Sequence, residues 1–587
     1  MKKRFIAALG LFGLLLGSCS INANNNTNNS NSSSNNSNYL NANTNTTATG
    51  NNEAVEIKED DIAESFTLVD EEGNKINGTN GIYTITTGGT YTASGKLDEG
   101  QIYVDAANLD IELDLDNVSI SNSSVSPIFV KDCNDFDLKV VKDSLNYIYD
   151  NRTTDYSNST DDTIGSSAIY VSNGDLKIKG KGTLSVTSVA NSGIHSKDNV
   201  SVKNVTMLVK AQNNGIKGND KVTIEENPTI GIVAGNNGII TSNSDLGTNV
   251  QHGYIYINGG NITINSYGDG IDAAYSLVFG TSIDTDGITY EPTVDIYTNI
   301  YSSYVNTSAT STNTNTASSN TTTTYSSSFY GPGSRPGQPG GGFDGGGMAG
   351  GKAAEKADES AKGMKANESI EINAGNIFAY AYDDAIHTNC DEKLENGNTP
   401  SALILITGGT LNLKASDDAI HADGTLEIKG GIINVAEAHE GLEGKIINII
   451  DGNITVFGSD DGVNASTSIN ISGGRLDVTV QSNGDYDGID SNGTISITGG
   501  IVITRGPNSE MAAPIDSDRG ISVTSGTLIV VGYCPNLTSG LKKTTSTNGT
   551  TAGTHTVTIG SDNIEYTNTY SYNGQTTVYS SASATVK

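Results

Sequence analysis

The chain has 587 residues, with 66 Asp+Glu against 33 Lys+Arg, 69 glycines, 26 tyrosines and no tryptophan. A net charge of -33 excludes general nucleic-acid binding, which needs a basic footprint, and repels anionic polymers unless cations intervene. Glycine lies well above its usual ~7%, and charged residues, at 17%, below the usual ~25%, which points to a slender, glycine-punctuated β-protein instead of several thick globular domains.

Residues 1–19 begin with Lys2, Lys3 and Arg4 and continue through an apolar run from Phe5 to Leu16. That run is too short to span a bilayer and fits a secretory signal. It ends in Leu16-Gly17-Ser18-Cys19, which resembles the lipobox of bacterial lipoproteins and implies cleavage before Cys19 and lipid on its thiol. Residues 20–52, rich in Asn, Ser and Thr, read as a flexible tether. The expected location is the cell surface or outer membrane, with the membrane reached through the lipid anchor. Cys133, Cys390 and Cys534 lack CxxC spacing, so neither a disulfide framework nor a zinc site is implied.

The body of the chain is self-similar. Thr407 to Gly431 reads TGGTLNLKASDDAIHADGTLEIKGG, and related copies start at Asn258, Asn373, Asp451 and Ser472. Each copy has a glycine turn, a strand alternating with period two, a polar turn, then Gly or Ala, an aliphatic anchor and another strand. The anchors are Ile194, Ile216, Ile239, Ile271, Met364, Ile386, Ile420, Leu442, Val463, Ile489 and Ile515, with weaker copies at Ile128 and Ile169. Most steps are about 21–26 residues, which predicts an all-β, single-stranded parallel β-solenoid of about 13 rungs and roughly 60 Å. Residues 53–280 hold a β-rich N-terminal cap and the first part of this β-helix, and 353–532 the second part. Between them, 281–352 is a low-complexity insertion that cannot bury a core. Residues 533–587 form a C-terminal β cap. The expected oligomeric state is a monomer.

Equivalent positions of stacked copies should lie one above another. Around the anchors this lines up Asp383, Asp384, Asp417, Asp418, Glu440, Asp460, Asp461, Asp487 and Asp490. At a layer spacing of ~4.8 Å, two such charges repel by about 0.9 kcal/mol in water and ~3.5 kcal/mol at an effective dielectric of 20. Calcium, which takes 6–8 oxygen ligands in flexible geometry, is the expected neutralising ion. Asp and Asn also favour such turns through their own backbone hydrogen bonding, so turn chemistry alone is the competing explanation. A lysine in the same column, Lys362, is placed to pair with a neighbouring carboxylate and end the series. His387 and His421, beside the acidic turns, read as polar surface residues in preference to zinc ligands.

The run from Ser360 to Asn389, with its DDAIH, together with Tyr83–Ala106, Ser126–Cys133 and Ser166–Val186, resembles bacterial surface proteins described as carbohydrate-binding domain-containing. The resemblance covers roughly Val55 to Val531. It implies a calcium-binding, right-handed parallel β-helix and an extracellular polysaccharide partner of plant type, cellulose-like or polygalacturonate-like, with no catalysis. It assigns no sugar-contacting residue. Without tryptophan, stacking on flat glycans falls to tyrosines such as Tyr267, Tyr380, Tyr382 and Tyr486, and an acidic glycan requires calcium between its carboxylates and the protein's own. Two alternatives remain. A calcium-dependent pectate lyase needs a base for the proton α to a uronate carboxyl, with Lys362, Lys365, Arg475, Arg505 and Arg519 as candidates. An adhesin or structural surface protein would use calcium only for rigidity.

Overall fold

The computed structural model describes residues 62–156, 163–243, 252–299, 361–390 and 399–587. The expected signal segment, the lipidation site Cys19, the tether and the low-complexity run 306–351 lie outside the described residues.

Among the described residues every regular element is a strand. The strand Thr183–Ser188 is typical: Leu184, Val186 and Ser188 are buried and the residues between them are not, as period-two alternation dictates. Thirty-nine strands share one hydrogen-bonded sheet, and most pair in parallel with a strand one repeat later. Three ladders result. The first joins Ile128, Ile169, Ile194, Ile216, Ile239, Ile271, Met364, Ile386, Ile420, Leu442, Val463, Ile489 and Ile515, each opposite the next. The second contains Val200, Val222, Ile255, Leu277, Ile370 and Ile404 in succession. The third contains Met207, Ile230, Ile262, Val294, Ile377 and Leu411. All three turn their aliphatic side chains into one continuous core. Burying one such side chain is worth about 1.5–3 kcal/mol, so the core supplies the main stabilisation.

The expected architecture is corrected by the way the strands close. In place of a right-handed single-stranded parallel β-helix of about 13 rungs between separate caps, the strands make a closed parallel barrel of eight with many further strands added. Strands near both ends join the same sheet: Thr67–Asp70 pairs antiparallel with Gly89–Leu97, and Gln575–Ser580 pairs antiparallel with both Thr527–Gly532 and Lys542–Ser546, while Gly553–Ile559, Asp562–Asn568 and Ala584–Val586 form a small sheet of their own. Stacking of similar copies dictates which residue lies over which. It does not dictate closure, and it does not mark long strands such as Ile420–Ala438 and Leu442–Gly458 that run on through the corners. Within the stretch 281–352, Thr293–Tyr297 is a strand of the third ladder, with Val294 and Ile296 inward. Its two aliphatic residues are too few to stand out beside the polar tract that follows. A second cluster, built on Ile503, Ile529, Val531, Val557, Tyr566, Tyr572 and Val578, lies under the C-terminal strands.

The residue before most anchors is Gly or Ala, and the next layer lies against it. A Cβ added to Gly462 would meet Val478 Cγ1 at 2.2 Å and the Gly488 carbonyl oxygen at 2.5 Å, and Gly441 and Gly488 are equally crowded. Gly462→Ala therefore forces neighbouring backbone apart, and a loss of about 1–3 kcal/mol is expected in the urea unfolding midpoint. An unchanged midpoint would show that the layers have slack at this corner.

Among the described residues, one ion pair lies wholly inside. Asp150 is 0% and Arg152 1% exposed, with Arg152 Nε donating to Asp150 Oδ1 at 2.6 Å and Nη2 to Oδ2 at 2.7 Å. The guanidinium also donates to the carbonyls of Ile164, Gly165 and Ser167, tying the segment that enters the strand Ser167–Val171 to the core.

Candidate functional site

The corners that precede the first-ladder strands are held by two sets of hydrogen bonds. In the backbone set, the residue before each anchor donates to the carbonyl of the next layer: Gly215 to Asn237 (3.0 Å), Gly238 to Asp269 (2.9 Å), Gly363 to Asp384 (2.8 Å), Ala385 to Asp418 (2.9 Å), Ala419 to Glu440 (3.0 Å), Gly441 to Asp461 (3.1 Å) and Gly462 to Asp487 (3.0 Å). In the side-chain set, Oδ1 of a corner residue accepts the backbone N–H of its counterpart one layer on. Asn214 accepts from Asn237 (3.2 Å), Asn237 from Asp269 (2.9 Å), Asp269 from Lys362 (2.8 Å), Asp384 from Asp418 (3.1 Å) and Asp461 from Asp487 (2.9 Å). Asp487 accepts from Ala513 in the same way. This is turn chemistry, and it accounts for Asn or Asp throughout the column. It does not account for charge, because Asn214 and Asn237 make the same bond without any.

The column divides into two parts by the way its charge is met. In the earlier layers protein cations are present. Lys362 Nζ donates to Asp383 Oδ2 at 3.1 Å and also to Asp384. Asp383 and Asp384 are only 5% and 2% exposed. His387 Nδ1 lies 2.7 Å from Asp384 Oδ2, and its ring meets that of His421 edge-on at 4.7 Å between centroids. His421 reaches Asp418 at 2.9 Å, Glu443 at 3.1 Å and Asp423 at 3.3 Å. Burial works against a charged ring at both histidines. At His387 it prevails and pulls the imidazole down; at His421 the hydrogen bonds to Asp418 and Asp423 and the charge of Glu443 overcome it and push the ring up to about 11. This direction favours the imidazolium form of His421, a second internal cation, while burial raises its partners Asp418 and Glu443 in turn. Both histidines are built into the site, contrary to their reading as polar surface.

Cations are scarcer in the later layers. Glu440 is pushed up to about 8 by burial and then by Glu443, although Asn464 Nδ2 donates to it at 3.2 Å. Asp461 and Asp487 are each pushed up to about 6 and Asp490 to about 7, first by burial and then by the neighbouring aspartates, against which the backbone N–H groups donated to Asp461 and Asp487 pull only in part. Burial also raises Asp460, with the exposed His439 Nε2 at 3.6 Å from it. Among the described residues no lysine or arginine forms an ion pair with Glu440, Asp461, Asp487 or Asp490.

The structure brings the predicted residues together unevenly. Four groups have ligand atoms within 4.8 Å of one another: Asp383, Asp384 and Asp417; Asp384, His387 and His421; Asp418, His421 and Glu443; and Asp417, Asp418 and His439. Glu440, Asp460, Asp461, Asp487 and Asp490 follow one another down the column without forming so tight a group. The tight groups are mostly the ones already neutralised by Lys362 and His421. Sequence reasoning omitted Asp423 and Glu443 from the site, and the signal that marks their neighbourhood is the i, i+3 spacing of Asp384–His387 and Asp418–His421. Of the tyrosines named for stacking, Tyr382 is 41% exposed, whereas Tyr380 has Lys414 Nζ over its ring at 5.2 Å.

Parallel β-repeats stacked in register, with an oxygen-rich corner in every layer, define an all-β repeat protein that carries its charge in an ordered column. Residues 79–403 match the model of the family described as "Carbohydrate-binding domain-containing protein", more than half of the 587 residues, and the chain belongs to that family. A relative of the same description from Acetivibrio thermocellus is 34% identical over 128 residues, which is 22% of this chain and 44% of the relative, so the match spans less than half of the relative's length. A solved structure, the polysaccharide lyase-like protein from C. thermocellum as a gadolinium derivative, is 29% identical, covers 40% of this chain and 92% of that one, and superposes with a TM-score of 0.33.

Proposed function

We propose that the protein is a surface-anchored, non-catalytic carbohydrate-binding protein that takes up plant-type polysaccharide, polygalacturonate-like or cellulose-like, in a calcium-dependent way. Membership of a family described by its carbohydrate-binding domain supports the ligand class. The observation that carries the calcium reading is the run of half-buried carboxylates at Glu440, Asp461, Asp487 and Asp490, with which, among the described residues, no lysine or arginine pairs. At Asp461 and Asp487 the corner hydrogen bond is one an asparagine would serve equally well. The donors there are all oxygens, the set that calcium prefers, and Asp460 and Asn464 stand beside them. When bound, calcium would neutralise the column and offer open coordination positions to uronate carboxylates or sugar hydroxyls.

The absence of catalysis rests on the commitment of three of the five candidate bases. Lys362 is held by Asp383 and Asp384, Arg475 by Asp477, and Arg505 is 1% exposed with its guanidinium on Asp477. The test is retention of the full chain on polygalacturonate, with calcium or with EGTA, alongside elemental analysis of the protein. Retention with calcium and release with EGTA is the expected result. Retention indifferent to EGTA, with no metal on the protein, would overturn the calcium dependence. A rise in ultraviolet absorbance from unsaturated uronate in the same mixture would make it a lyase.

A further inference from the structure

A cleft lies apart from the carboxylate column. It lies between the body and the C-terminal strands, has a volume of about 840 Å³, and falls within the ordinary range of ligand clefts, about 300–1,000 Å³. Its residues, from Val435 to Tyr570, lie beyond the stretch 79–403 matched by the family.

The two walls are fixed to each other. Arg505 Nε donates to Asn568 Oδ1 at 2.9 Å, Tyr572 Oη to the Val480 carbonyl at 2.8 Å, and Arg475 Nη2 to the Glu565 carbonyl at 2.8 Å. The cleft is therefore preformed, which lowers the ordering cost of a ligand. One aromatic ring comes from each wall: Phe457 and Tyr570 abut at 6.4 Å between centroids, tilted by 43°. Together they make one bent apolar surface on which the C–H face of a sugar ring can lie. Around it stand hydroxyls of Thr455, Thr567 and Thr569 and the carboxylates of Glu437 and Asp477, the few convergent polar groups that orient a ligand over an apolar floor.

The charge of the cleft selects the kind of sugar. Glu437 is held by Lys414 at 2.7 Å, and Asp477 by Arg475 at 2.8 Å and by Arg505. The one cation lining the cleft, Arg475, already donates to Asp477 and to the Glu565 carbonyl. A uronate would find no uncommitted cation and would face three carboxylates, those of Glu437, Asp477 and Glu565. Sugar hydroxyls, which donate to carboxylate and accept from guanidinium, fit the same groups. We infer that this cleft is a binding site for a short run of neutral hexoses, separate from the calcium-dependent column. The inference rests on the carbohydrate-binding reading above and adds a second site to it, to which the neutral of its two ligand types is assigned.

The test is isothermal titration of the full chain and of Phe457→Ala and Tyr570→Ala with cellohexaose, maltohexaose and mannohexaose, each in EGTA. Polygalacturonate with calcium is the parallel ligand, and the melting temperature of each variant is recorded. At least one neutral hexamer should bind the unaltered chain in EGTA, and both variants should bind it at least tenfold more weakly while keeping their folded transition and their polygalacturonate retention. A variant that melts much earlier is replaced by Phe457→Leu or Tyr570→Phe, for which a weaker but measurable loss is expected. Neutral binding unaffected by all these variants would overturn the site, and so would polygalacturonate retention with no neutral binding, which leaves the proposed function standing. Failure of every glycan to bind would remove both.

Discussion

Replacing Asp461 and Asp487 together by asparagine is expected to raise the melting temperature of the calcium-free protein at pH 8 and to abolish most of its stabilisation by calcium. The substitution keeps the corner hydrogen bonds, because Asn214 and Asn237 make the same bond to the next layer. It removes only the charge. Both carboxyls sit near about 6 in the folded protein, above their ordinary 3.8, because of burial and neighbouring aspartates. A group whose folded value is raised holds more protons folded than unfolded, so its contribution is present in acid and is lost as the pH rises through the folded value. Across Asp461, Asp487, Asp490 and Glu440 that loss falls between about pH 4 and 8. The calcium-free protein should accordingly melt earlier at pH 8 than at pH 5, and calcium should restore more at pH 8. For the two aspartates, discounted for partial solvent access, the effect is on the order of 3 kcal/mol. Thermal scans at both pH values, in EGTA and in calcium, decide the matter. A double variant that keeps the full calcium increment would place the ion elsewhere.

The second large effect is expected at Arg152→Met. The methionine fills much of the same space, but Asp150, 0% exposed, loses its cation and keeps the backbone N–H of residue 152 at 3.2 Å, Ser188 Oγ at 3.0 Å and Asn191 Nδ2 at 3.3 Å. The carbonyls of Ile164, Gly165 and Ser167 lose a donor at the same time. Breaking a buried pair from one side costs about 3–5 kcal/mol. Adding Asp150→Asn to that variant should recover part of the loss, since the uncompensated charge is then gone. Urea unfolding of the two variants measures both quantities. Equal stability of the single and double variants would mean that the orphaned carbonyls, and not the stranded charge, carry the cost.

The layer-to-layer register could be read from the sequence because the copies are similar: a residue marked by one Gly or Ala before it and alternation after it finds its counterpart in the next copy. Ile194, Ile216, Ile239 and Ile271 follow one another in the ladder for that reason, and Met364 joins them directly after residues 300–360. Closure of the sheet was not legible, since no periodicity records whether Ile420–Ala438 breaks at its corner or runs through it. At the site, the repeated Asp positions were visible, but their neutralisation was not. His421 lies on the strand beyond the corner, and only the bend brings its ring back to Asp418. Hydrogen bonding by Asp and Asn at the corners was expected as turn chemistry, but a local turn and a bond to the next layer call for the same residues, so the partner was not legible. The cleft between Phe457 and Tyr570 joins residues more than a hundred positions apart that share no repeat, and no pattern in the sequence marks it.

The bonds in which a corner side chain accepts a backbone N–H all point the same way. The acceptor belongs to the earlier layer and the donor to the later one, from Asn214 and Asn237 through Asp384 to Asp461 and Asp487. A chain made from its amino end therefore displays each acceptor before the amide that will occupy it has been synthesised. Every finished layer is a primer for the one that follows, and no layer has to wait for sequence beyond its immediate successor. Growth can proceed in one direction by single additions, like extension of a polymer from a fixed end, with the long-range search of a large β-protein divided into short local steps.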